Sequence, residues 1–280
     1  MIWRFGEHFF DLSSKGIVLG ILNVTPDSFS DGGSFGDTEA ACAQGLKLLG
    51  EGADVLDVGG ESTRPGASPV DEAEELRRIL PVINALRSKT SAPLSIDTSK
   101  ASVAAAALAA GADIINDVTA LRGDPKMGPL IASRKAGLIL MHMQGVPATM
   151  QENPSYPNDD VLGAVLKFLS ERRATAIGLG VDPASIILDP GIGFGKTAIH
   201  NLALLRGIPS LASLGAPLMI GHSRKAFLGS IAQSLNPADR FWPGIAITSL
   251  ARELGARLFR VHEVQPHREA LRMTEAIITS

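Results

Sequence analysis

The chain has 280 residues, of which 45% are hydrophobic and 20% charged, a composition typical of a globular protein with a sizeable core. Its formal net charge of −3 provides no overall basic surface, which argues against nucleic acid as the main partner. The single cysteine, Cys42, rules out an internal disulfide and predicts a reducing, cytoplasmic setting, and neither a secretory leader nor a bilayer-spanning run is expected.

Short apolar runs alternate with longer Ala- and Leu-rich stretches along most of the chain. The predicted strands are 17–22, 55–58, 94–96, 114–118, 138–141, 186–188, 218–220 and 258–261. The predicted helices are 38–51, 70–88, 99–110, 125–135, 159–179, 200–213, 238–254 and 265–279.

Eight strand–helix units spaced by roughly 35 residues predict an α/β fold, a (β/α)8 TIM barrel. A doubly wound open sheet is the alternative, because alternation alone does not show whether a sheet closes. Residues 2–12 predict a short β-hairpin that covers the barrel floor. We therefore expect one domain over 1–280, with the hairpin in 1–14 and the barrel in 15–280.

Polar or charged residues follow every predicted strand. In chain order they are Asn23, Asp57 with Thr63 and Arg64 in its loop, Asp97, Asn116, His142, Asp189, Ser223 with Lys225, and Arg260 with His262. A single Asn or Asp there usually caps the next helix, but Lys, Arg and His are not cap residues. Because TIM barrels carry their active sites at this end of the strands, the ring predicts a ligand site.

The ring combines two kinds of chemistry. Asp97, Asn116 and Asp189 can accept hydrogen bonds from a heterocycle edge, and Lys225 can donate to its carbonyl or ring nitrogen. The donor-rich set suits phosphate oxygens and comprises Asn23, Thr63, Arg64, Arg260 and His262.

Two other motifs do not match the sites they suggest. The run at 191–197 (GIGFGKT) is one residue short of P-loop spacing, so nucleoside triphosphate binding is not predicted. His142 and His222 lack paired metal-ligand spacing, and we interpret them as hydrogen-bonded core histidines.

Several segments resemble the dihydropteroate synthase family of pterin-binding enzymes. The two signature segments are 20–33 (GILNVTPDSFSDGG) and 57–66 (DVGGESTRPG). The others are 95–99 (SIDTS), 115–118 (INDV), 141–145 (MHMQG), 188–196 (LDPGIGFGK), 223–225 (SRK) and 260–262 (RVH). Ala226 and Glu263 depart from the usual family sequence, and neither is expected to touch the site residues. A pterin-binding carrier or methyl-transfer module is the alternative, although it would not be expected to combine all these segments.

The resemblance implies a transferase of folate synthesis that joins a dihydropterin methyl diphosphate to 4-aminobenzoate and releases pyrophosphate. The implied pterin contacts are Asp97, Asn116, Asp189 and Lys225. The implied diphosphate contacts are Asn23, Thr63, Arg64, Arg260 and His262. The implied aminobenzoate contacts are Phe29, Thr63, Phe194 and Ser223.

The resemblance also assigns catalytic roles to Lys225, Asp97 and Arg260, and Mg²⁺ binding to Asn23. Two loops, near 28–36 and 62–69, are expected to close over the site. A homodimer built on late helices and inhibition by sulfonamides, which resemble 4-aminobenzoate, are further expectations.

Overall fold

The fold is built on one eight-stranded sheet, seen in a computed structural model that describes residues 1–25, 35–64, 66–233, 236 and 240–280. The strands are β1 (Ile2–Phe5), β2 (His8–Asp11), β3 (Ile17–Asn23), β4 (Val55–Gly59), β5 (Leu94–Asp97), β6 (Ile114–Asp117), β7 (Gly137–Met141), β8 (Ile186–Asp189), β9 (Met219–Ile220) and β10 (Leu258–Val261).

The sheet closes into a barrel. Its strands are all parallel and follow the order β8-β7-β6-β5-β4-β3-β10-β9. A parallel bridge between Leu188 and Leu218 then joins β8 to the residue that precedes β9. The predicted TIM barrel is therefore confirmed, and the alternative of an open doubly wound sheet is wrong.

The helices follow the strands with two differences from the prediction. They are α1 (Phe35–Gly50), α2 (Glu72–Arg87), α3 (Ala101–Ala109), α4 (Met127–Arg134), α5 (Val161–Gly178), α6 (Ala198–Arg206), α7 (Ile208–Ala212), α8 (Ala226–Ile231), α9 (Phe241–Leu254) and α10 (Val264–Thr279). The single helix predicted at 200–213 is wrong: α6 and α7 meet at Gly207, because Pro209 has no backbone N–H to continue one helix. Helix α8 is additional to the prediction, and residues 237–239, before α9, lie outside the described residues.

The N-terminal hairpin, β1 paired with β2, fills the floor of the barrel. Trp3, Phe5 and Leu12 are buried against inward-facing side chains of the barrel strands, namely Ile17, Leu19, Val55, Ile114, Ile139, Ile187, Met219 and Leu258. The Trp3 indole also donates a hydrogen bond to the Ser185 carbonyl at 3.0 Å. The opposite end of the barrel, where the strands terminate, is left open for a ligand site.

The treatment of 1–280 as one domain stays a prediction.

The helices pack their apolar faces against the outward-facing side of the strands. Helix α2 shows how the sequence sets such an element. Asp71 caps it by accepting from the Glu74 amide at 2.8 Å, and Ile79 and Ile83 lie on its buried face. Among the described helices, none has the length and apolar character needed to cross a membrane.

Candidate active site

A cavity of about 860 Å³ lies at the carboxyl ends of the barrel strands. The predicted site residues that line it are Asn23, Thr63, Arg64, Asp97, Phe194, Ser223, Lys225, Arg260 and His262. Asn116 and Asp189 are buried at the same end of their strands but are not part of the lining. Phe29 lies outside the described residues.

Arg260 holds two carboxylates together at the cavity floor. Its Nε donates to Asp57 Oδ2 at 2.5 Å and its Nη2 to Asp97 Oδ2 at 2.8 Å. Asn116 Nδ2 donates to the same Asp57 oxygen at 3.2 Å. The predicted acceptor and donor sets are therefore joined through Arg260. Asp57, which sequence reasoning left without a role, is fully buried and accepts from both Arg260 and Asn116.

The charged side chains at the cavity floor are largely shielded from water. Burial raises the pKa of Asp97, and the Arg260 guanidinium opposes that rise. Burial alone would lower the pKa of Arg260, but the neighbouring carboxylates, Asp57 first, raise it overall. Asp97 Oδ1 accepts no hydrogen bond from the described residues, so this oxygen can accept one from a ligand in the cavity.

Asp189 is oriented by two glycines. Its Oδ1 accepts from the Gly191 amide at 2.7 Å, and burial raises its pKa to about 6. Gly191 has a φ of +66°, and a Cβ there would lie 1.9 Å from the His142 carbonyl oxygen, so only glycine fits. Gly221 forms part of the cavity wall, and its missing side chain leaves Asp189 Oδ2 uncovered, since a Cβ there would stand 3.6 Å from that oxygen.

Lys225 lies between the two predicted halves of the site. Its Nζ is 3.9 Å from the centroid of the Phe194 ring, a cation–π contact. Burial lowers the pKa of Lys225 to about 8, and the nearby Arg260 adds to this effect. Lys225, a predicted pterin contact, thus adjoins Phe194, a predicted aminobenzoate contact.

Ser223 is linked to the end of β10. Its Oγ lies 2.9 Å from His262 Nδ1, and burial lowers the pKa of His262 to about 3, so this histidine is neutral at pH 7. We assign the serine proton to this contact, which leaves His262 Nε2–H as a donor. Glu263 Oε2 also lies 3.3 Å from Ser223 Oγ, and Glu263 pairs with Arg224. The expectation that Glu263 touches no site residue is therefore wrong, because the longer glutamate reaches back across the loop.

Lys196 is a buried cation that sequence reasoning missed. Its Nζ lies 2.9 Å from His142 Nδ1 and donates to the Phe194 carbonyl at 3.0 Å. Burial lowers the pKa of Lys196 to about 7 and that of His142 to about 3. Lys196, the lysine of the incomplete P-loop motif, thus stabilises the loop that carries Phe194. His142 is hydrogen-bonded, as predicted.

Glu61 closes the base of the loop at 62–69. Its carboxylate accepts from the Val70 amide at 3.2 Å and from Lys100 Nζ at 2.5 Å. Lys100 also donates to the fully buried Glu75 at 2.5 Å. Glu61 could be found from the sequence because it lies in the family segment 57–66. No neighbouring sequence feature indicated that Lys100 would be its partner.

Asn23 stands at the carboxyl end of β3, where its side-chain oxygen faces the cavity with the Glu61 carbonyl nearby. Both oxygens lie within 4 Å of the point a Gly59 Cβ would occupy. The described residues contain no cluster of three His, Cys, Asp or Glu side chains suited to a metal. One amide oxygen and a carbonyl fit Mg²⁺, which keeps several waters and takes few protein ligands beside a phosphate.

Known proteins resemble this chain in sequence and in fold. A family model described as pterin binding enzyme matches residues 19–262, which include the whole predicted ring. The dihydropteroate synthase of Synechocystis sp. is 44% identical over 97% of this chain and 93% of its own length. The chain belongs to the dihydropteroate synthase family.

Solved structures of dihydropteroate synthases share the fold. That of Xanthomonas albilineans with 4-aminobenzoic acid has a TM-score of 0.89 at 44% identity, and the match covers 97% of this chain and 96% of that one. The same organism's enzyme in complex with 7,8-dihydropteroate has a TM-score of 0.88 at 41% identity over the full length of both chains. The family resemblance and the barrel drawn from the sequence are thereby confirmed, whereas the residue roles stay predictions.

Proposed function

We propose that this member of the dihydropteroate synthase family joins 6-hydroxymethyl-7,8-dihydropterin diphosphate to 4-aminobenzoate in folate synthesis. The bond between the pterin methylene carbon and the diphosphate oxygen breaks, and a bond from that carbon to the amine nitrogen forms. Pyrophosphate leaves, the amine loses one proton, and 7,8-dihydropteroate results. The observation that carries this proposal is one cavity in which the Asp97 carboxylate and the half-buried Lys225 adjoin a cationic wall.

The proposed pterin region uses the acceptors at the floor. Asp189 Oδ2 and Asp97 Oδ1 would accept from the amino-pyrimidine edge, together with the Asn116 side-chain oxygen. Lys225 would donate to the carbonyl or ring nitrogen of the pterin. Since the floor excludes water, these hydrogen bonds are stronger than they would be in bulk solvent.

The proposed diphosphate region comprises Asn23, Thr63, Arg64, Arg260 and His262. The leaving diphosphate gains negative charge as the carbon–oxygen bond breaks, so fixed donors that face it stabilise the transition state. Two of the Arg260 donors already bind Asp57 and Asp97, and its guanidinium therefore acts with those carboxylates in place. Arg64 is exposed on the wall, and its guanidinium pairs with no carboxylate among the described residues.

A loose path suits the weak aromatic amine, with the carbon–oxygen bond breaking ahead of attack. The buried carboxylates, Asp97 first, would stabilise the developing positive charge on the pterin. Thr63, Phe194 and Ser223 would hold the aminobenzoate against this carbon, while the assignment of Phe29 to the same region stays a prediction. Mg²⁺, held by Asn23, would neutralise charge on the diphosphate when bound.

Turnover is the experiment that tests the function. Purified protein with both substrates is expected to release pyrophosphate and form 7,8-dihydropteroate, and chelation of Mg²⁺ is expected to suppress the reaction. Omission of 4-aminobenzoate provides the control for simple hydrolysis of the diphosphate. Binding of the dihydropterin without any turnover would contradict the proposal and favour a carrier or methyl-transfer module.

Pterin affinity is expected to peak between about pH 6 and 8, where Asp189 is ionised and Lys225 protonated. Affinity falls below this window because Asp189, and Asp97 whose pKa burial also raises, lose their acceptor charge when protonated, and above it because Lys225 loses a donor proton. The ligand-free protein shows a different trend. Because burial raises the folded-state pKa of Asp189 above that of an ordinary aspartate, the stability this proton contributes is lost as pH rises through about 6.

Calorimetric titration with 6-hydroxymethyl-7,8-dihydropterin across roughly pH 5–9 measures this profile. The variant His262→Gln serves as the control, since burial already holds the pKa of that histidine near 3. Loss of the acidic limb in His262→Gln would overturn the assignment of that limb to Asp189 and Asp97.

The homodimer implied by the family would use α9 and α10. Their exposed apolar side chains include Trp242, Leu250, Met273 and Ile277. Such side chains on neighbouring helices are typical of a surface that another chain covers. The cytoplasmic location expected from the lone cysteine stays a prediction.

A further inference from the structure

The loop that carries Ser223 and Lys225 has little backbone support. It follows β9, which has two residues and two paired positions with β10. The loop turns back through a hydrogen bond from the Lys225 amide to the His222 carbonyl at 3.3 Å, and Arg224 has a φ of +59°. Side-chain contacts must therefore fix where Lys225 stands.

On the exposed side, the loop is held by the ion pair of Arg224 with Glu263 and by a hydrogen bond from Arg240 to the Arg224 carbonyl. The Arg224 side chain is 54% exposed, and exposed ion pairs contribute little because solvent screens them. The buried side of the loop offers a stronger anchor.

That anchor is a chain of hydrogen bonds through three buried side chains. His222 Nε2 lies 2.8 Å from the Gly244 carbonyl oxygen and 3.0 Å from Thr248 Oγ1. Thr248 Oγ1 lies 2.7 Å from His267 Nδ1. The chain thus runs from the loop through α9 to α10, and none of the three residues is more than 1% exposed.

The direction of each hydrogen bond follows from its partners. Burial lowers the pKa of His222 to about 3 and of His267 to about 4, so both rings are neutral at pH 7. Because the Gly244 carbonyl can only accept, we assign the proton of His222 to Nε2. That one proton is shared between the Gly244 carbonyl oxygen and Thr248 Oγ1, and the Thr248 hydroxyl can donate to His267 Nδ1. A hydroxyl is required for both bonds, and valine, of the same shape, makes neither.

We propose that Thr248 is a positioning residue for the reaction, holding His222, and with it the backbone of Ser223 and Lys225, against helices α9 and α10. The inference rests on the proposed function, since Lys225 is its pterin contact. Thr248 lies outside the cavity lining and would act through the loop alone.

The test compares Thr248→Val, which keeps the shape, with Thr248→Ser, which keeps the hydroxyl. We expect Thr248→Val to lower kcat/KM for the dihydropterin diphosphate about tenfold, the factor of one hydrogen bond, and Thr248→Ser to stay within about twofold of the parent. Thr274→Val is the matched control, because buried Thr274 donates to the Ala270 carbonyl of its own helix and binds no other described side chain. Its kcat/KM should match that of the parent protein.

Equal losses in Thr248→Val and Thr248→Ser would overturn the proposal, as would unchanged kinetics in Thr248→Val or a matching loss in Thr274→Val. Tm values identify any variant that fails to fold, and Thr248→Ala then replaces Thr248→Val. If the parent protein shows no turnover, the proposed function fails by itself. The same comparison, made on binding of 6-hydroxymethyl-7,8-dihydropterin, then decides the role of Thr248 separately.

Discussion

Replacing Arg260 with methionine is expected to lower the free energy of unfolding by about 3–5 kcal/mol, the usual effect of leaving buried charges unpaired. Asp57 is fully buried and Asp97 is 6% exposed, and both depend on this one guanidinium. Without it, the two carboxyl groups are expected to take up protons, so pterin binding and turnover are lost as well. Urea denaturation and calorimetric titration of the pterin measure the two effects.

Arg252→Met separates the two effects. Arg252 is 2% exposed and pairs with Glu275, which also accepts from the Gly16 amide at the floor of the barrel, far from the cavity. A comparable loss of stability with activity retained is expected there. If Arg260→Met unfolds at the urea concentration of the parent protein, the charges at the cavity floor do not depend on this pairing.

Asp189→Asn is expected to weaken pterin binding at least about 100-fold, since a hydrogen bond to a charged group contributes about 1.5–3 kcal/mol and an amide N–H₂ would face pterin donors. The same change should stabilise the free protein at pH 7 by roughly 1–3 kcal/mol, because it removes a carboxylate whose pKa burial has raised. The substitution is thus expected to lower pterin affinity and to raise the stability of the free protein. Titration calorimetry and thermal unfolding of one preparation show both.

Asp117→Asn is the control for that pair of effects. Asp117 also ends a barrel strand and is fully buried, but its two oxygens accept from Thr119 and the Leu121 amide within its own turn. An amide N–H₂ there would face the donors of this turn, so Asp117→Asn should not gain the stability expected of Asp189→Asn, and it should keep pterin affinity. Equal affinity losses in the two variants would mean that Asp189 acts on the fold of the rim and not on the ligand.

The ring of site residues could be read from the sequence because parallel strands bring their carboxyl ends to one rim. Asn23 and Lys225 could be predicted as site residues from their position after an apolar run alone. Asp57 was harder to assign, because its role arises from Arg260, 203 positions away, and no local pattern reports such a pair. The partners of Thr248 could not be read from the sequence either, since His222 and His267 come from other elements of the fold.

The break between α6 and α7 was readable in principle. Pro209 signals the end of a helix, and the apolar periodicity across it outweighed that signal in the prediction. The contact of Glu263 with Ser223 was not readable, because it depends on how far one extra methylene reaches across a loop.

The hairpin at the barrel floor has a consequence for the opposite end. Trp3 and Phe5 are buried against the apolar side chains of the barrel interior and close this end of the barrel to water. Electric fields in such a medium are weakened far less than in water. The hairpin of β1 and β2 therefore keeps water from the inner side of the rim, so the rim charges act on one another, and on any bound anion, more strongly than they would in bulk solvent.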